Sequence, residues 1–190
     1  MGSEGNLPAA LDSFDRALAL KPDYAEAHHN RASALLLLGR FAEGLAEYEW
    51  RFASRDFPAF RPRWHAWDGV SCRDQTLVIV AEQGLGDTLQ FVRYARLLAE
   101  RGARVLVECP PALHPLLSRT PGVARWISPG EAPPEADACV PLMSLPWRLG
   151  TTLDTVPADT PYVFADPLRS ERWREELARI EGFKIGIAWQ

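Results

Sequence analysis

The chain has 190 residues, 47% apolar and 24% charged, with a formal net charge of −4. That length holds one large domain or a smaller one with an appendage, and it is too short for two full nucleotide-binding-type domains plus an appendage. A net negative chain without a basic stripe argues against a nucleic-acid partner. Apolar runs such as Ala34–Leu38 fall far below the roughly 18–20 residues of a membrane span, and no basic-then-apolar leader follows Met1, so a cytoplasmic location is expected.

Residues 5–52 hold only two prolines, Pro8 and Pro22, and read as helix throughout. The spacing predicts helices over Leu7–Leu20, Tyr24–Leu38 and Phe41–Phe52, with Pro22 and the Gly39-Arg40 pair as breaks. Gly5, Leu7, Ala10, Leu11 and Phe14 recur 34 positions later as Gly39, Phe41, Gly44, Leu45 and Tyr48. Small residues at Ala10 and Gly44 let two helices approach, and Phe14 and Tyr48 fill the space one turn on. This pattern resembles the tetratricopeptide repeat, although His28 and Arg31-Ala32 stand where that repeat prefers a large aromatic and a Leu-Gly pair. A plain helical bundle is the other reading. Only the second helix of one repeat and both helices of the next are present. The helices are therefore expected either to follow further repeats or to dock on the second half through the aromatic linker. A protein or peptide partner on the repeat helices is the functional expectation.

Residues 54–75 form that linker, with Phe57, Phe60, Trp64 and Trp67. The two tryptophans are expected to pack between the halves rather than to stack on a sugar.

Residues 76–183 then alternate strands with helices. The apolar run Thr76–Ala81 reads as a buried strand, Thr88–Arg101 as a helix ended by Gly102, and Arg104–Glu108 as a second strand, together a βαβ unit. Helix Ala112–Arg119, strands Ala124–Ile127 and Ala138–Val140, helix Ser144–Leu149, strand Tyr162–Phe164, helix Leu168–Ile180 and strand Lys184–Trp189 follow. The alternation predicts an α/β domain, an open Rossmann-like sheet covered by helices. Eleven of the 16 prolines fall between Pro110 and Pro161, where loops are numerous. Cys72, Cys109 and Cys139 form no C-x-x-C pair and read as buried thiols in a reducing compartment. The four histidines, His28, His29, His65 and His114, have no ligand spacing, so no metal site is expected. His114 reads as a surface residue.

In such a sheet the ligand crevice lies beyond the carboxyl ends of the strands, which is where Glu82–Asp87 falls. Gly84 and Gly86 permit positive φ and close approach of a ligand. Asp87 is either the N-cap of the next helix or a general base for a substrate hydroxyl. Gln83 is a candidate for a sugar hydroxyl or for loop amides. Ser144, after another strand end, is a candidate donor to a sugar or phosphate, or a helix cap. A dinucleotide reading pairs Gly84-x-Gly86 with Glu108, but Leu89 stands at the third glycine position and Asp87 would face a pyrophosphate.

The run from Glu82 to Tyr94 resembles the opening turn of bacterial tetratricopeptide-repeat proteins with a heptosyltransferase-like (family 9) glycosyltransferase domain. Trp67-Asp-Gly69, Pro141–Pro146 with Gly150-Thr151, Pro161-Tyr162 and Ile185–Trp189 match as well, in the right order, over nearly the whole chain. The resemblance implies the N-terminal, acceptor-side half of a two-domain GT-B enzyme, with Asp87 as the catalytic aspartate and a nucleotide-sugar as donor substrate. It implies no further cofactor. Residues 184–190 are then the last strand of this domain or the first of a truncated donor domain, and the chain alone is expected to be silent. A repeat scaffold with a degenerate α/β domain is the alternative from a different class.

Overall fold

The computed structural model describes residues 6–55, 57, 60–61 and 63–187. Gly5 of the repeat pattern and the end of the strand expected at Lys184–Trp189 lie outside them. Helices α1 (Leu7–Leu20), α2 (Ala25–Leu37) and α3 (Phe41–Glu47) follow the predicted order. Asn6 caps α1, accepting from the Ala9 amide at 3.2 Å. Leu11, Ala34 and Leu35 are buried between α1 and α2, with Leu7 and Phe14 against them. The small residue at Gly44 is required by contact, because a Cβ there would meet Leu36 Cγ at 2.8 Å. His28 fills its non-consensus position by stacking on Trp50, 3.9 Å between ring centroids, and by pairing with Glu47.

The helix expected to run to Phe52 instead tightens after Glu47 into a 3₁₀ turn, Tyr48–Ala53. This turn carries the side chains that dock on the second half.

Strands β1 (Thr76–Val80), β2 (Arg104–Glu108), β3 (Val123–Ile127) and β4 (Ala138–Pro141) form one sheet in the order β3-β2-β1-β4. All three pairings are parallel, with a bulge in β3 where Leu106 partners Arg125 rather than Ala124. Helices α4 (Leu85–Phe91) and α5 (Tyr94–Glu100) follow β1, α6 (His114–Leu117) follows β2, and α7 (Leu145–Arg148) follows β4. The single helix expected over Thr88–Arg101 is therefore two, and it starts earlier, with Gly84 as the N-cap.

Strand side chains alternate between faces, and the two faces are covered differently. Leu77, Ile79, Val105, Val107 and Val140 pack under α4–α7, with Val92, Leu98, Leu117 and Leu145. Val78, Leu106, Ile127 and Cys139 face the other way, and Phe60 and Trp64 of the linker cover them. Helices on both faces were the expectation; the aromatic linker does this work on one. Cys139 is held on both sides, accepting from the Trp67 amide at 2.8 Å and donating its own amide to His65 O at 2.7 Å. Trp67 thus turns into the helix-covered core at 4% exposure while Trp64 lies on the opposite face. Both tryptophans pack on the sheet, not between the halves.

Two predicted strands are corrected. Tyr162–Phe164 pairs with no strand among the described residues: prolines bracket it at 161 and 167, and Arg93 lies 4.0 Å over the Tyr162 ring instead. Residues 184–187 join no ladder, and Ile185 and Ile187 are exposed. Between these segments lies α8 (Pro167–Ala178), capped by Asp166 and burying none of its residues. All three cysteines are free and buried, and burial pushes the Cys109 thiol up to about 11.

Candidate functional site

Because β1 is flanked by β2 on one side and β4 on the other, the strand order reverses between β1 and β4. Ligands of open α/β sheets settle beyond the carboxyl ends at such a point. Here that position is filled by Arg51, which the 3₁₀ turn drives into the sheet edge at 0% exposure. Its Nε and Nη2 fork onto Glu82 at 3.1 and 2.8 Å, and Nη1 donates to Glu49 at 2.6 Å and Tyr48 O at 3.2 Å. Nη2 also donates to Ser144 Oγ at 2.7 Å, and that hydroxyl donates to Glu49 at 2.8 Å. The Met143 amide donates to Glu82 Oε1 at 3.1 Å, closing the network onto the segment after β4. Burial opposes the Arg51 charge, yet the bonds and charges of Glu82 and Glu49 outweigh it and hold its pKa above the ordinary value.

A second contact from the same turn reaches the next residue. Gln83 Nε2 donates to Tyr48 Oη at 2.9 Å, and Gln83 sits at φ 62°, the left-handed region that a non-glycine residue enters rarely. Burial raises the Tyr48 phenol pKa. The positive φ expected of Gly84 or Gly86 is thus carried by Gln83; Gly84 has φ −85°. A Cβ at Gly84 would lie 3.1 Å from the Asp87 carboxylate, and one at Gly86 would meet nothing within 4 Å.

Asp87 is the third residue of α4 rather than its N-cap. Its Oδ2 accepts the Gly84 amide at 2.9 Å, tying off one free donor of the helix start. Oδ1 has no hydrogen-bond partner among the described residues.

Beside this turn, beyond the ends of β1, β2 and β3, lies a cavity of about 440 Å³. Phe52, Phe57 and Phe60 supply aromatic walls, Val80, Pro110 and Pro129 the sheet side, and Gln83, Thr88 and Arg61 polar groups. Of the sequence candidates, Gln83 lines this cavity. Asp87, Gly84 and Gly86 belong to the adjoining turn, and Ser144 is the N-cap residue of α7, but its buried hydroxyl makes no cap bond and is held by Arg51 and Glu49. Glu108, the distant acid of the dinucleotide reading, is taken by Arg63 of the linker. His114 is half-buried, its Nε2 3.2 Å from Cys109 O. Among the described residues no cluster of His, Cys, Asp or Glu could hold a metal ion, and no helix is long and apolar enough to cross a membrane.

Sequence reasoning missed Arg51, Glu49 and Glu82. The available signal was an arginine set between Tyr48 and Phe52 on the apolar side of a repeat helix, which implies a buried acidic partner.

Comparison with known proteins identifies a repeat family for the helical part alone. The sequence model described as TPR repeat matches residues 3–39. Protein FlbA of Caulobacter vibrioides is 25% identical over 251 residues, covering 98% of this chain and 41% of FlbA. A TPR repeat-containing protein of Rhizobium etli is 45% identical over 42 residues, 22% of this chain and 21% of that protein. An uncharacterized protein of Methanocaldococcus jannaschii is 42% identical over 43 residues, covering 23% of this chain and 50% of its own length. The chain therefore spans half or less of each of these relatives. No solved structure matches. The N-terminal helices carry a TPR repeat, which is consistent with protein partners, and the sheet beyond them is a parallel four-stranded α/β unit.

Proposed function

We propose that this chain is the acceptor-side, Rossmann-like part of a heptosyltransferase-like glycosyltransferase of GT-B type, carried on TPR helices that bind a protein partner. The observation that carries this reading is the position of the 440 Å³ cavity. It opens at the carboxyl edge of a parallel sheet, beside the Glu82–Asp87 turn, with aromatic walls suited to a sugar face and Gln83 offering an amide. In the proposed reaction Asp87 Oδ1 takes the proton of an acceptor hydroxyl. The acceptor oxygen attacks the anomeric carbon of the donor, and the nucleoside diphosphate leaves with the bonding pair. Asp87 Oδ2, fixed on the Gly84 amide, keeps the carboxylate oriented at the helix start. A nucleotide-sugar donor places the reaction in the cytoplasm. Replacing Asp87 by Asn in a longer protein that includes the donor-binding region should lower transfer by about 10²–10⁴-fold; unchanged turnover would overturn the assignment.

A second reading has its own observation. Asp87 does not line the cavity, and Ser144 is locked by Arg51 and Glu49. Both fit a TPR scaffold whose α/β domain no longer catalyses. Capture of a partner peptide that survives Asp87→Asn, with no nucleotide-sugar turnover by the longer protein, would select it.

A further inference from the structure

The turn that carries Asp87 is held from outside the sheet. Arg51 forks onto Glu82, and Tyr48 meets the next residue, with Gln83 Nε2 at 2.9 Å and Oε1 at 3.3 Å from the Tyr48 hydroxyl. Both anchors stand in the 3₁₀ turn Tyr48–Ala53 at the end of the repeat helices. The Tyr48 ring is itself fixed, with His29 of α2 at 5.2 Å between ring centroids and the Arg51 guanidinium 4.8 Å over its face. Tyr48 does not line the carboxyl-edge cavity, so it touches no acceptor there.

Gln83 has φ 62°. Among the described non-glycine residues Asp74 shares the left-handed region, but an aspartate enters it several-fold more readily through its short polar side chain. Glycines stand at 84 and 86, yet neither takes a positive φ. A residue in this conformation persists only where its surroundings hold it, and such residues gather at functional sites. What holds the Gln83 side chain is the Tyr48 hydroxyl. What depends on Gln83 is the planar peptide that follows, because its backbone angles set the direction of the Gly84 N–H. That N–H donates to Asp87 Oδ2 at 2.9 Å.

We propose that Tyr48 is a positioning residue for Asp87: its hydroxyl holds Gln83 in the left-handed conformation, which aims the Gly84 amide at the carboxylate and leaves Oδ1 directed at the acceptor. This rests on the reading of Asp87 as the general base. The 3₁₀ turn of the repeat is then a working part of the transfer site. For tethering alone the Arg51 network suffices, and no hydroxyl is needed on the strained residue beside it. A misplacement of about 1 Å can cost about 10²-fold in rate, so this one hydroxyl bears on turnover.

Tyr48→Phe is the test, because it removes the hydroxyl and keeps the ring against His29 and Arg51. In the chain, the NMR signal of the Gly84 amide proton reports its bond to Asp87, and Asp87→Ala gives the position of that signal without the bond. Tyr48→Phe should move the signal toward that position. Gln83→Ala should do the same, and the two together should move it no further. Gln83→Gly in the Tyr48→Phe background should bring it back, since glycine takes the left-handed region unaided. The Ala81 amide, bonded to Glu108 O at 2.8 Å, should stay in place throughout. In a longer protein with the donor-binding region, Tyr48→Phe should lower kcat about tenfold with the acceptor KM within about twofold, and Gln83→Gly should restore kcat. A Gly84 signal unmoved by Tyr48→Phe, or not returned by Gln83→Gly, would overturn the proposal. So would a signal that moves together with that of Ala81, which would reduce Tyr48 to general packing, or a kcat indifferent to Tyr48→Phe where Asp87→Asn lowers it. Failure of the underlying reading looks different: Asp87→Asn leaves turnover unchanged while the Gly84 signal still answers to Tyr48.

Discussion

Arg51→Met removes five hydrogen bonds at once, to Glu82, Glu49, Tyr48 O and Ser144, while leaving a side chain of similar length in the same space. Glu82 and Glu49, whose side chains are 14% and 20% exposed, are left without their cation. Removing one partner of a buried ion pair costs about 3–5 kcal/mol, a large part of a total stability of about 5–15 kcal/mol. The melting temperature should fall by about 10 °C for a chain of this size. Urea denaturation of the purified chain measures the loss. Adding Glu82→Gln should cost less than its own separate effect, with a coupling of about 0.5–3 kcal/mol. A loss below about 1 kcal/mol for Arg51→Met would refute the view that this guanidinium is the keystone between the repeat and the sheet.

Gly44→Ala should destabilise by about 1–3 kcal/mol in the same assay, because its Cβ would meet Leu36 Cγ at 2.8 Å and Leu36 N at 3.1 Å. Trp64→Ala should cost about 2–4 kcal/mol and raise binding of a hydrophobic dye, since it uncovers the sheet face of Val78 and Leu106. Stability should fall between about pH 9 and pH 11 by about 1.4 kcal/mol per unit from Cys109 alone. The sign follows from burial: the folded thiol keeps its proton to about 11, whereas the unfolded thiol has released its proton by then, and Cys109→Ala should flatten this limb.

The local elements were readable because their signals are local. Pro22, the Gly39-Arg40 break and the apolar spacing place α1 and α2 within a residue of where they lie. The unbroken apolar run of β1 reflects a strand buried on both faces. What escaped was set at long range. Arg51 meets Glu82 across 31 positions and Ser144 across 93, so no window around any of them shows the network. The linker's aromatics announce burial, but not that they replace a helix layer on one face of the sheet. The Glu82–Asp87 turn was located correctly, yet its positive φ falls on Gln83, where Tyr48 holds the side chain, rather than on the neighbouring glycines.

The glycosyltransferase reading turns on whether an acceptor bound in the carboxyl-edge cavity reaches the Asp87 carboxylate. A crystal structure of the chain with a bound acceptor glycan measures that distance directly. The reacting hydroxyl should lie about 2.6–3.2 Å from Asp87 Oδ1, or one water away, with a sugar face against Phe52, Phe57 or Phe60. An acceptor seated elsewhere, or a hydroxyl beyond the reach of one water with the Asp87–Gly84 contact unchanged, would contradict it.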